Sequence, residues 1–399
     1  MGIAGTPTSA GPTPVDGPHP FRLSVADEAL SDLHTRLGRT RWTDSVDPDE
    51  WDHGTSVAYL RALVDYWLTT FDWRAREREI NALPQFELAI DGSTVHFLHF
   101  RGSGDRRIPL IVTHGWPGSF FEMVKLAPLL CRRQRNRHGQ TWSFDVVVPS
   151  IPGFGFSSRP TAPGLNAWKT ADLWATLMTS LGYERFVAQG GDFGAAISTA
   201  LALRHRHRLL ALHLNYIPGS YQPWLTADAP LAADEQQFQI DVASWREEEG
   251  AYAHLHATRA QTLGVALNDS PAGLAAWLIE KYRSWADCDG DLERRFTRDE
   301  LLTHVMVYWV TETIHSSMRY YAEMRRAPMT FAAGDFVNVP VGIARFPREA
   351  PFPPRAWIAR GYNVVHWSDL PRGGHFAAWE EPELLADDLA AFVTALELT

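Results

Sequence analysis

An α/β fold, with a mostly parallel central sheet flanked by helices, follows from three observations. From Ile108 onward, short apolar runs alternate with helical stretches. Those runs are apolar throughout, as strands covered on both faces are. The alternation is broken once, over about 217–336, by helical sequence rich in tryptophan and tyrosine, and strand character then resumes at Val337.

Residues 1–20 are rich in Gly, Pro, Thr and Ala and have neither a charged leader region nor an apolar core, so they read as a flexible tail rather than a signal peptide or anchor. Met1-Gly2 with Thr6 matches the myristoylation pattern formally, in a motif too short to carry weight. Residues 21–100 form an N-terminal region of helices and a hairpin. Ser24 is the expected cap of a helix with Val25, Ala29, Leu30, Leu33 and Leu37 on one face, and Leu60, Val64, Trp67, Leu68 and Phe71 mark a second. Phe86–Ile90 and Val95–Phe100 alternate around Asp91-Gly92, a strong hairpin signal. The sheet domain takes residues 101–216 and 337–399, with strands expected at Leu110–Thr113, Asp145–Pro149, Arg185–Gln189, Leu210–Asn215, Val339–Ala344 and Asn363–Trp367. The stretch 217–336 reads as an inserted helical lid.

With 399 residues, 45% of them apolar, the chain can bury one large core plus such an insertion. A net charge of −10 and a pI near 5.9 leave no cationic surface for nucleic acid or an anionic membrane. No apolar run approaches the roughly 20 residues of a membrane span, so the expectation is a soluble, cytoplasmic protein. Cys131 and Cys288 have no metal-ligand spacing, which predicts free thiols in a reducing compartment and no structural zinc.

Chemistry concentrates at strand ends. Gly190-Gly191-Asp192-Phe193-Gly194 lies between a strand and a helix, and the sharp turn needs small residues around the central one: a nucleophile elbow rather than a phosphate loop, since the P-loop lysine is missing. An aspartate there, ionised at pH 7 from an ordinary pKa of about 3.9, attacks saturated carbon without a base. A serine would indicate an esterase instead. The ester so formed on Asp192 must be cleaved by water, and His375, in Gly373-Gly374-His375-Phe376 after the last strand, is placed to activate it. Glu349, after the strand ending near Arg345, has the topological place of the acid that orients His375, with Asp369 and Glu380 as rivals nearer in sequence. The backbone amides of Trp116, in His114-Gly115-Trp116-Pro117-Gly118, and of Phe193 are the candidate oxyanion hole.

With these residues in view, the sequence resembles the epoxide hydrolases of the microsomal type, a branch of the α/β-hydrolases with an extra helical N-terminal region. The resemblance runs from about Pro20 to the C-terminus. It rests on the Asp192 elbow, His114-Gly115-Trp116-Pro117, Pro152-Gly153-Phe154-Gly155-Phe156-Ser157, Leu267-Asn268-Asp269-Ser270-Pro271 and Arg372-Gly373-Gly374-His375-Phe376-Ala377-Ala378. It implies the α/β-hydrolase fold and an epoxide-to-diol activity through an aspartyl ester, with no cofactor and no metal. Phe346-Pro347-Arg348-Glu349 matches the pair that precedes the family's acid, which favours Glu349. Two lid tyrosines that hold the epoxide oxygen correspond to Tyr252 and Tyr321, with Tyr320 a rival for the second. A protonated tyrosine can donate to that oxygen as the ring opens.

Mammalian members that resemble this chain begin with a membrane anchor, whereas this sequence starts without one, as a soluble bacterial enzyme would. Similar soluble proteins act in antibiotic pathways such as enediyne biosynthesis, and the aromatic lid is compatible with that role. The expected partners are a hydrophobic epoxide and water, and a homodimer follows from the commonness of twofold symmetry. Two other functions share features of this sequence: a haloalkane or haloacid dehalogenase with the same aspartate, and a non-catalytic ligand-binding hydrolase fold.

Overall fold

The computed structural model describes residues 17–226 and 230–399, so most of the expected tail, and the Gly2 motif, lie outside the described residues. The strands are β1 (His19–Pro20), β2 (Gln85–Ile90), β3 (Ser93–Phe100), β4 (Arg106–Thr113), β5 (Gln134–Arg135), β6 (Thr141–Pro149), β7 (Phe186–Gly190), β8 (Leu209–Leu214), β9 (Val337–Arg345) and β10 (Tyr362–Asp369). They form one sheet in the order β1-β2-β3-β6-β4-β7-β8-β9-β10, with β5 beside β6. The members from β6 to β10 along that path are parallel, and β1, β2 and β3 run antiparallel at the edge. All nine residues of β6 are buried, as a strand covered on both faces must be. This is the α/β-hydrolase arrangement, and the chemistry gathers at the carboxyl ends of its parallel strands.

The Asp91-Gly92 turn has positive φ at both residues, 46° and 75°, which matches the right-handed twist of the β2–β3 pair. That hairpin continues directly into the main sheet through β3 and β6. His19 and Pro20, placed in the tail by composition, instead pair with Glu87 and Phe86.

Ser24 is not a helix cap. The helix begins at Asp27 after Ala26, because the amides of Leu23 and Val25 are taken by Asn81 Oδ1 (2.8 Å) and Glu77 Oε1 (2.7 Å), which hold the chain extended. Leu33 and Leu37 are buried as expected of the apolar face, while Ala29 is exposed. The second helix, Val57–Thr69, is capped by Ser56, which accepts from the Tyr59 amide, and ends before Phe71.

Between β8 and β9 the chain runs through helices 233–248, 251–269, 271–285, 298–311 and 314–326. Ser270 caps the third by accepting from the Gly273 amide, with Pro271 at its first position, so the Leu267–Pro271 motif is a helix junction. Gly264 lets helix 251–269 close on helix 314–326: a β-carbon there would lie 2.9 Å from that of His315. The N-terminal helices grip this insertion through Arg36 and Asp269 (2.6 Å), Thr55 Oγ1 and the Ala276 carbonyl (2.6 Å), and Tyr66 Oη and Asp299 (3.0 Å). Among the described residues no helix is long and apolar enough to cross a membrane. Cys131 and Cys288 are free thiols.

Candidate active site

Strand β7 stops at Gly190 and a helix starts at Asp192, whose φ of 46° lies in the left-handed region. Such a conformation costs a non-glycine residue of order 1–3 kcal/mol and persists only where its surroundings fix it. They do so here by close packing. A β-carbon on Gly194 would collide with the carbonyl oxygen of Thr113 at the end of β4, and one on Gly115 would occupy the place of the Asp192 carboxylate. Oδ1 of Asp192 accepts a hydrogen bond from the Trp116 amide at 2.8 Å, and the Phe193 amide also faces the carboxylate. The first turn of the helix adds its dipole in favour of a negative charge.

His375 stands opposite. Its loop is shaped by Glu380, which accepts from the amides of Asp287 (2.7 Å), Gly374 (3.1 Å) and Phe376 (2.9 Å), while the His375 amide donates to the Trp285 carbonyl (3.0 Å). Glu380 is therefore a scaffold for the loop. Asp369 is engaged by Arg345 at the surface. Glu349, carried past the end of β9, places Oε1 2.7 Å from His375 Nδ1, and the Ala350 amide fixes the same oxygen at 2.7 Å. With Nδ1 donating to Glu349, Nε2 faces Asp192 Oδ2 across 3.7 Å.

Burial lifts the Asp192 carboxyl above its ordinary value, against the opposing pull of His375 and of the Trp116 and Phe193 amides. Burial alone would lower the His375 pKa. The charge and hydrogen bond of Glu349, with Asp192 and Glu122 behind them, overcome that and push it up to about 9.

Tyr252, in the first turn of helix 251–269, and Tyr321, in helix 314–326, meet over Trp116. Trp116 stacks on Tyr252 (ring centroids 5.2 Å apart) and meets Tyr321 edge-on at 5.8 Å; Phe193 lies 4.8 Å from Tyr321. Among the described residues the buried Tyr321 hydroxyl has no well-formed hydrogen bond, with only the Tyr252 hydroxyl close to it, whereas the Tyr320 hydroxyl is spent on Thr170 Oγ1 at 3.0 Å. Burial raises the pKa of both Tyr252 and Tyr321, so both hold their protons at neutral pH.

Residues 18–123 match the family described as epoxide hydrolase N terminus, and residues 108–307 match the alpha/beta hydrolase fold. Epoxide hydrolase 1 of Oryctolagus cuniculus is 37% identical over 407 residues, spanning 95% of this chain and 89% of the relative. The chain belongs to the microsomal-type epoxide hydrolases. The crystal structure of juvenile hormone epoxide hydrolase from Bombyx mori is similar to this epoxide hydrolase with a TM-score of 0.83 at 28% identity, over 96% of this chain and 95% of that one. The structure of Aspergillus niger epoxide hydrolase gives 0.81 at 31%, over 96% and 97%.

Two residues of this epoxide hydrolase that border the cluster carry no motif of their own. His256 sits one helical turn after Tyr252, packed on Trp116 (4.6 Å) and Tyr321 (4.8 Å). Trp277 Nε1 donates to its Nε2 at 3.1 Å, which leaves the ring proton on Nδ1. Glu122 is a lone acid in the apolar run Phe120–Val124, and that isolation was its only signal in the sequence. Beside His375, Tyr216 (5.7 Å) opens onto a cavity of about 270 Å³ lined largely by apolar side chains, among them Ile217, Phe238, Trp245 and Trp357.

Proposed function

We propose that this enzyme hydrolyses a hydrophobic epoxide to a vicinal diol in two steps, through an ester on Asp192. The observation that carries this reading is the division of the Asp192 carboxylate. Oδ1 already rests on the Trp116 amide, so Oδ2 is the attacking atom and Oδ1 becomes the ester carbonyl oxygen, held by the Trp116 amide with the Phe193 amide also facing the carboxylate. Oδ2 attacks one ring carbon as Tyr252 and Tyr321 donate to the epoxide oxygen. The buried Tyr321 hydroxyl, which has no well-formed acceptor beyond the nearby Tyr252 hydroxyl among the described residues, supports its part in this, since a buried donor poorly paired is costly until a ligand supplies an acceptor.

His375 then removes a proton from water, with Glu349 holding the Nδ1 proton in place. Esterification moves the negative charge of Asp192 to the epoxide oxygen, which takes up a proton as His375 gives one up to solvent. Glu349 remains the main support of the His375 pKa, but with the Asp192 charge gone that pKa falls and His375 is left as a base. The 270 Å³ cavity beside Tyr216 supports an apolar substrate body, and the helices of 217–336 act as the lid over it. Residues 21–100 serve as the brace of that lid, and 101–216 with 337–399 form the catalytic core. The same reading places the enzyme in the cytoplasm, as a homodimer, on a secondary-metabolite epoxide.

His375→Ala incubated with styrene oxide tests the scheme by intact-protein mass. A gain equal to the whole epoxide, lost when Asp192→Asn is added, is expected; no adduct, or one that survives Asp192→Asn, overturns the ester on Asp192.

A further inference from the structure

Gly115 and Gly118 each leave room for a carboxyl group. The space a β-carbon on Gly115 would take holds the Asp192 carboxylate, and the space on Gly118 holds the carboxyl of Glu122. Glu122 and Asp192, together with His375, Trp116 and Asn215, line a cavity of about 20 Å³. A cavity needs roughly 10–15 Å³ of such space to admit one water molecule, and a water there needs two to four polar partners. This one is walled by the nucleophile, the base and a further carboxyl.

We propose that Glu122 is a positioning residue for the second step, holding the hydrolytic water in this cavity between His375 and the ester carbon. The inference rests on the two-step reading of the site. The water oxygen bonds to the ester carbonyl carbon while one of its protons passes to His375 Nε2 and the other is held by the Glu122 carbonyl oxygen. The carbonyl electron pair moves onto Oδ1. Collapse then breaks the bond to the diol oxygen, which takes the proton back from His375; the second water proton, left on the regenerated Asp192 carboxyl, passes to His375 and restores the ion pair, and Glu122 keeps its own proton throughout.

The surroundings favour that neutral form. Burial pushes the Glu122 pKa up to about 8; His375 and the Ser119 amide pull it down, while Asp192 and Glu380 raise it. Tyr282 and Tyr308, buried and protonated, tie the same loop from the lid side through the carbonyls of Pro117 (2.9 Å) and Gly118 (2.8 Å). A neutral acid orients water without competing with His375 for its proton. An ionised one would repel the oxyanion and hold His375 protonated.

The test separates the two steps with styrene oxide in single-turnover mass measurements. Glu122→Leu should form the ester at a rate within about threefold of the unsubstituted protein but hydrolyse it about tenfold or more slowly, so that the adduct accumulates; misplacing a reactant by 1 Å can cost about a hundredfold. Glu122→Gln, which still offers a carbonyl oxygen, should restore hydrolysis to within about threefold. It should also remove the alkaline decline of the hydrolysis step, because glutamine cannot ionise, and this holds as a test even if the leucine variant does not fold. Equal slowing of both steps by leucine, or an alkaline decline that survives in the glutamine variant, overturns the role of Glu122 alone. An unsubstituted protein that forms no ester at all overturns the two-step reading as well.

Discussion

The two halves of the active site are held in different ways. On the sheet side the acid, base and carboxylate are held by hydrogen bonds within the protein: Asp192 rests on the Trp116 amide, His375 on Glu349, and Glu349 Oε1 on the Ala350 amide, while Glu349 Oε2 is buried without a partner among the described residues. On the lid side, Tyr252 and Tyr321 are fixed by aromatic packing around Trp116 and His256, and among the described residues the Tyr321 hydroxyl has no well-formed hydrogen bond, only the Tyr252 hydroxyl beside it. The sheet half must be exact before chemistry starts, so strand ends carry it. In the proposed reaction the lid half completes its hydrogen bonding only with the substrate, and packed lid helices carry it.

That contrast is most sharply broken by Asp192→Asn, which should remove turnover by roughly 10⁴-fold or more, as loss of a nucleophile does elsewhere, while leaving epoxide binding intact. Residual turnover near the unsubstituted rate would mean that the sheet half does not hold the nucleophile. Next in size, Tyr321→Phe should slow ester formation by about 10²-fold, the usual cost of one lost oxyanion donor, and leave ester hydrolysis unchanged; slowing of the hydrolysis step instead would move Tyr321 to the sheet half's work.

A smaller effect separates the halves by stability. The His375 pKa is raised in the folded protein, so its contribution is complete below its unfolded value of about 6.5 and is lost as pH rises through about 9. The melting temperature should therefore fall between pH 7 and 9.5, and this fall should be shallower in His375→Ala; identical slopes would show that the sheet-side ion pairs add no stability. Least of all, Ser270→Ala should cost about 1 kcal/mol as a lost helix cap, measured by denaturant unfolding. A cost under a few tenths would show that the lid junction is set by Pro271 and packing alone.

The legibility of the sequence followed the same divide. Asp192 and His375 stand at strand ends, where position in the fold assigns a role, and Glu349 follows a Phe-Pro pair at the end of β9. The parallel strands were readable from their apolar runs, although β10, at the sheet edge, carries Asn363 and His366 and is only partly buried, whereas β1 and β5, two residues each, have no period to detect. Tyr252 and Tyr321 were accessible only through family resemblance, because a tyrosine in a buried helix has the pattern of a packing residue. Ser24 was misread for a physical reason: the partners that compete for the neighbouring amides, Glu77 and Asn81, lie more than fifty residues away. Glu122 went unnoticed because a carboxyl folded into the void of a glycine four residues earlier leaves no periodic trace.

The contacts from Arg36, Thr55 and Tyr66 give the lid a fixed jamb on one side. At the opposite side, helix 233–248 buries only Glu235, which is latched to Arg360 at 2.8 Å, and it borders the apolar cavity beside Tyr216. If the proposed substrate body lies in that cavity, its fit is set by residues of helix 233–248, which stand apart from the contacts of the N-terminal helices, so a change of guest there would leave the frame undisturbed.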